Sequence, residues 1–123
     1  MSNIEGKTSM GLEPNVAGLL CYLLGWVTGL IFLLLEKENE FVRFHAMQSI
    51  ITFGGLTVIY IVLSILGIIP FIGILFAILL YILGLLGFVL WIVLMVKAYQ
   101  GVRYKLPWAG EQAEKYIERY KPR

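Results

Sequence analysis

The polar and apolar positions of this chain divide it into long runs rather than into alternating faces. From Val16 to Leu35 almost every position is apolar, and Glu36 and Lys37 end the run. Twenty such residues at 1.5 Å rise are enough to cross a bilayer as a helix. Twelve of them are Val, Leu, Ile or Phe, and together they favour insertion by about 4 to 7 kcal/mol. Between Arg43 and Lys97 no Asp, Glu, Lys or Arg occurs, a stretch of about fifty residues that has room for two more spans. These runs are apolar on all sides, which excludes the alternating strands of a membrane barrel and leaves helices.

The pattern therefore predicts an all-α chain with three transmembrane helices at residues 16–35, 48–69 and 71–96, a membrane domain over 16–97. Asn15 stands where it could cap the first. Gly67-Ile-Ile-Pro70-Phe-Ile-Gly73 reads as a tight hairpin between the second and third, because Pro70 removes a donor and the glycines accept unusual backbone angles. Before span two, Phe41, Phe44, His45, Gln48 and Thr52 recur at helical spacing, so a short interfacial helix capped by Asn39 is expected to run into that span. Residues 1–15 read as a polar leader without the basic start of a secretory signal. Residues 98–123 read as a basic tail ending in an amphipathic helix, with Ala113, Tyr116, Ile117 and Tyr120 on one face. Trp108, Tyr116 and Tyr120 would rest that tail on the membrane surface.

Composition supports this picture: 59% of the residues are hydrophobic and the mean hydropathy is +0.83, against about 45–50% apolar residues in soluble domains. The net charge of +2 is too small and too local to point to nucleic acid. Its placement sets an expected orientation. Lys37 and Arg43 lie before span two and Lys97, Arg103 and Lys105 after span three, whereas Lys7 is alone on the other side. The positive-inside rule then puts the tail in the cytoplasm and the N-terminus outside. Basic residues beside the spans are expected to attract anionic lipid headgroups.

Candidate chemistry is sparse. Gly25 and Gly29 form a GxxxG pair, and Gly73, Ala77 and Gly84 mark a small-residue side of span three, where a helix of the same chain or of another copy could approach. Thr57, Tyr60 and Ser64 share a face of span two and could hold helices together or line a polar cavity. Glu40, Arg43, Phe44, His45 and Gln48 form the densest polar constellation, read as an interfacial interaction motif. His45 is the sole histidine and Cys21 the sole cysteine, so neither a zinc ligand set nor a Cys/His or Ser/His/Asp set can be assembled. No enzyme activity, cofactor or metal is expected. Carboxylates and lysines, the usual marks of an ion pathway, are absent from the three spans.

The string Gly18-Leu-Leu-Cys-Tyr-Leu-Leu-Gly-Trp-Val-Thr-Gly29, the block Phe41-Val-Arg-Phe-His-Ala-Met-Gln-Ser49 and the block Tyr104-Lys-Leu-Pro107 resemble an uncharacterised family of small prokaryotic multi-pass membrane proteins. That family is distantly similar to the twenty-kilodalton membrane subunit of the chloroplast Tic import complex. The resemblance runs from about Thr8 to Lys115 and implies location in a prokaryotic cell membrane and a helical-hairpin architecture. It hints at protein import, although the plastid proteins usually have four spans. A non-enzymatic scaffold or translocation-associated component, packing against other membrane proteins or itself, is the expected function. A homo-oligomeric pore or passive small-solute transporter is the alternative.

Overall fold

A computed structural model describes Thr8 and residues 11–119 of the chain, and among these residues every regular element is helical. Helix α1 is Pro14–Leu23, α2 is Trp26–Leu35, α3 is Glu40–Leu66, α4 is Gly73–Tyr99 and α5 is Ala109–Arg119. The leader expected at residues 1–15 lies largely outside the described residues, as does Tyr120.

Two helices, α3 and α4, are long and apolar enough to cross a membrane, with 27 residues each. The interfacial helix read before span two is the first part of α3 itself. Asn39 caps it as expected, its side chain accepting from the Val42 amide at 3.1 Å. The turn between α3 and α4 falls in the expected hairpin. Gly73 is required there, since a Cβ would meet the Gly67 carbonyl oxygen at 2.5 Å, and Phe71, at φ +71° and fully exposed, forms the tip.

The first apolar run departs from the expectation of a single span. It is two helices of ten residues, each about 15 Å long where the hydrocarbon core is about 30 Å thick. Gly25 separates them with φ +65° and ψ −139°, a backbone conformation open to glycine and strained for any side chain. The direction of the chain reverses at that point. Along α1, Gly18 faces Phe41 and Ala98, the Cys21 thiol points to the Val42 carbonyl, Tyr22 reaches His45, and Gly25 lies against Phe53. Along α2 the neighbours run back: Trp26 faces Gly54, Gly29 faces Ala46 and Ser49, and the Leu33 carbonyl meets Arg43. The run thus enters beside the first half of α3, turns near its midpoint and returns to the end where it began.

Both ends of this hairpin, the start of α3 and the end of α4 therefore share one end of the molecule. Asn15, expected as a helix cap, instead donates from Nδ2 to the Tyr99 carbonyl at 3.1 Å; α1 begins with Pro14 at its first position and an uncapped Glu13 before it. This contact puts the start of α1 at the same end of the molecule as the end of α4, where a single crossing by residues 16–35 would have put them at opposite ends.

At the level of the hairpin tip α3 widens into a π-helical turn over Ile50–Gly54, and Gly54 there lets Trp26 approach. The packed core is confined to the polar end. Ala17, Cys21, Tyr22, Phe41, Val42, Ala46, Leu94, Ala98 and Leu106 form one cluster, and Phe44, Ala113 and Ile117 a second beneath α5. Away from it, α3 and α4 expose apolar side chains such as Val58, Ile65, Ile78 and Leu85, the surface that hydrocarbon would solvate.

Candidate functional site, a buried polar junction

The constellation read from the sequence sits at the packed end, where α1, α3 and the segment 100–108 converge. Phe41, Arg43, Phe44, His45 and Gln48 are all buried. Helical spacing puts His45 and Gln48 on one side of α3, facing both α1 and the chain that leaves α4. There His45 Nε2 lies 3.1 Å from the Val102 carbonyl. A carbonyl can only accept, so Nε2 carries the hydrogen and Nδ1 presents its lone pair. The Tyr22 hydroxyl donates to that lone pair at 2.7 Å and accepts from Gln48 Nε2 at 2.9 Å. The second hydrogen of Gln48 Nε2 goes to the Tyr104 carbonyl at 2.9 Å, and Gln48 Oε1 accepts from the Leu106 amide at 2.8 Å. Each donor and acceptor in this set has a partner, the condition under which a buried polar network stabilises a fold. Edge-on rings of Tyr22, Phe41 and Phe44 box the imidazole at 5.4, 4.6 and 5.2 Å between centroids.

Arg43 turns the other way. Its Nη1 donates to the carbonyls of Glu36 at 2.8 Å and Leu33 at 3.3 Å, closing the carboxyl end of α2 with a cation where the helix dipole favours one. Glu36 Oε2 in turn accepts from the amides of Glu38 and Asn39 at 2.9 Å each. Glu40 opens α3 in its first turn. Phe44 packs on Ala113 and Ile117 of α5, with the Arg103 guanidinium 5.3 Å from its ring centre. Gly110 is needed at the start of α5, because a Cβ would meet Lys105 at 2.6 Å and Gln48 Oε1 at 2.9 Å. The tail read as a membrane-surface anchor is thus fastened to α3.

Part of the basic charge expected to face lipid is spent within the tail. Glu114 takes Lys105 Nζ at 2.7 Å and Arg103 Nη1 at 3.3 Å. The hydrogen bond from Lys105 holds the Glu114 carboxyl below its ordinary range.

Sequence reasoning missed the second half of the site, the tip of the re-entrant hairpin. Local amides reach part of it, the Gly25 N–H donating to the Tyr22 carbonyl at 3.0 Å and the Gly29 N–H to the Gly25 carbonyl at 3.3 Å, and side chains distant in sequence add further donors where hydrocarbon supplies no water. Trp91 Nε1 donates to the carbonyls of Tyr22 at 2.6 Å and Leu23 at 3.3 Å, and the Ser49 hydroxyl donates to Gly25 at 2.9 Å. Within the hairpin, Thr28 Oγ1 accepts from the Leu24 amide at 3.1 Å and lies 3.3 Å from the Cys21 and Gly25 carbonyls. Trp91 and Ser49 carry no sequence signal of this role; Thr28 beside Gly25 was the one local hint.

The helix-packing glycines divide by role. Gly25 makes the turn, and Gly29 brings α2 onto α3, where a Cβ would touch the Ala46 carbonyl at 2.9 Å. Gly73 belongs to the α3–α4 turn. Ala77 and Gly84 line open surface between α3 and α4, with nothing within 4 Å of a Cβ at Gly84. Thr57, considered for a polar lining, returns its hydroxyl to the Phe53 carbonyl of its own helix at 2.7 Å.

The sequence model of the magnetosome magnetite crystal formation protein family matches residues 8–112. Among curated relatives, two proteins of Methanocaldococcus jannaschii, each named a UPF0132 membrane protein, are 51% identical to this chain. One aligns over 113 residues, 92% of this chain and 96% of the relative. The other aligns over 112 residues, 91% of this chain and 76% of the relative. A UPF0132 membrane protein of Archaeoglobus fulgidus is 52% identical over 106 residues, 86% of this chain and 97% of its own length. No solved structure matches the chain.

Proposed function

This chain belongs to the magnetosome magnetite crystal formation protein family, and we propose that it is a non-enzymatic scaffold of a prokaryotic cell membrane, acting by contact with other membrane proteins. The observation that carries this reading is the closed junction around His45 and Gln48. Its polar atoms are spent on joining α1, α3 and the tail, so the motif works as a brace. What it braces is the surface of α5 with the exposed Trp108 beside it, a rigid platform at the polar end.

The family's description concerns magnetite crystal formation. Among the described residues no three His, Cys, Asp or Glu side chains gather as a metal-holding group, and the scaffold reading does not depend on iron. A role in protein translocation is a narrower form of it, supported by the resemblance to the plastid import subunit. In the membrane, two crossings by α3 and α4 and a half-depth hairpin of α1 and α2 replace three crossings. Lys37, Lys97, Arg103 and Lys105 then share one side with the start of α1 and the end of α4, and the positive-inside rule supports a cytoplasmic location for that side.

The test is photocrosslinking from Trp108, which is 66% exposed, and from Tyr60 in the membrane-facing part of α3. Capture of defined membrane proteins from Trp108 in native membranes is expected. Lipid alone at both positions would remove the scaffold. Capture of a second copy from Tyr60 together with solute flux in reconstituted liposomes would favour the pore, whose lining would include Tyr60.

A further inference from the structure

The half-depth hairpin makes the molecule unequal across the membrane. At the polar end four helical segments lie side by side: α1, α2, the first half of α3 and the last half of α4. The pairings of Gly18 with Phe41 and Ala98, and of Gly29 with Ala46 and Ser49, bring them into close packing. At the tip of the hairpin, near Phe53, Gly54 and Trp91, two of the four stop. Beyond it only Gly55–Leu66 and the first half of α4 continue, and their side chains are exposed.

Among the described residues nothing fills the place below the tip. A groove of about 480 Å³ opens there, bounded by the hairpin tip above and by Phe53, Tyr60, Gly84 and Phe88 at its sides. A Cβ at Gly84 would meet no atom within 4 Å. With helices about 10 Å across, the polar half displaces about 160 Å² more membrane area than the distal half. Helix α5 broadens the same end further, outside the hydrocarbon, by packing on Phe44 through Ala113 and Ile117.

A body wider in one leaflet than in the other is a wedge. It is accommodated with least strain where the leaflet around its wide end is stretched, which is the convex face of a curved membrane; in a flat bilayer the lipids beside its narrow end must tilt or thin to fill the gap. We propose that this protein partitions into curved membrane with its tail on the convex side, its partner in this being the shape of the bilayer. The inference rests on the re-entrant hairpin and is independent of the scaffold reading.

The experiment uses the full chain carrying Trp108→Cys, reconstituted into giant vesicles and labelled from outside with a membrane-impermeant maleimide dye. Cys21 is buried, so the dye marks the tail, and only molecules with the tail outward are seen. Lys115→Cys on the exposed face of α5 supplies a second label if the first disturbs the fold. Membrane tethers are pulled from the vesicles and the ratio of protein dye to lipid dye is compared between tether and parent vesicle. Enrichment in the tether, climbing as its radius falls, is the expected result. An equal ratio at every radius, or depletion from narrow tethers, overturns the proposal. Two-step photobleaching at an equal ratio would assign the loss of the wedge to a dimer.

Discussion

The indole of Trp91, on the 27-residue helix α4, donates at 2.6 Å to the carbonyl of Tyr22 at the end of the ten-residue helix α1. The last carbonyls of a helix lack the regular amide one turn on; the Gly25 amide reaches Tyr22 at 3.0 Å, and in hydrocarbon no water can add to it. Trp91 supplies what water would supply elsewhere, and its ring fills the space beside the hairpin tip.

Trp91→Phe keeps the ring and removes the donor. The variant should lose about 0.5–1.5 kcal/mol, the net worth of one hydrogen bond, because the Tyr22 carbonyl keeps the Gly25 amide. Cys21 reports this directly, since it is buried and the sole thiol: its modification by a small maleimide in mild detergent should be about 2- to 10-fold faster if opening limits the reaction. An unchanged rate would mean that the tip is held without the indole.

The re-entrant topology has a direct test. In sealed vesicles of one orientation, Leu12→Cys and Trp108→Cys should react with an impermeant reagent from the same side. Reaction from opposite sides would restore the three-crossing arrangement. Gly25→Val is expected to strain the turn by about 1–3 kcal/mol, because a β-branched side chain resists positive φ, and to expose Cys21 in the same assay.

Gln48→Leu should loosen the tail while leaving the membrane helices in place. The Leu106 amide, the Tyr104 carbonyl and the Tyr22 hydroxyl would each lose a partner, and a penalty of about 2–3 kcal/mol is expected after partial rehydration. Limited trypsin digestion should then cut after Arg103 and Lys105 about 30- to 100-fold faster, as each 1.4 kcal/mol is tenfold in the open population. Equal cutting of the two proteins would show that the junction does not hold the tail.

The pairing of Glu114 with Lys105 and Arg103 predicts a pH response with a definite sign. The carboxyl is held below its ordinary range in the folded tail, so the folded state favours the ionised form. This contribution is complete above the ordinary carboxylate range and is lost as the pH falls through the lowered folded value. Trypsin resistance of the tail should therefore decline only on the acid side, and by a small amount because the pair is partly solvated. Glu114→Gln should be flat over the same interval; a variant that declines in parallel would assign the effect to another group.

Much of the architecture was legible in one dimension. The uncharged stretch between Arg43 and Lys97 required apolar helices, Pro70 between two glycines marked their turn, and Asn39 before a helical repeat marked the start of α3. These are local effects of backbone sterics, capping and solvation, and they act the same way wherever the segment is placed. The polar motif was legible as a cluster, but not its purpose, because the partners of His45 and Gln48 are the hydroxyl of Tyr22 and backbone groups from Val102 to Leu106, which helical spacing does not identify.

The run from Val16 to Leu35 marks the division. Its sequence determined that it would be apolar, helical and embedded, and twenty such residues satisfy those terms whether they cross the bilayer or turn back within it. Only the tertiary structure decided between the two. The glycine that permits a reversal is present either way, but reversing leaves the tip carbonyls short of regular helical amides in a medium without water. The groups that satisfy them, Ser49 and Trp91, arrive from 24 and 69 residues along the chain from their acceptors.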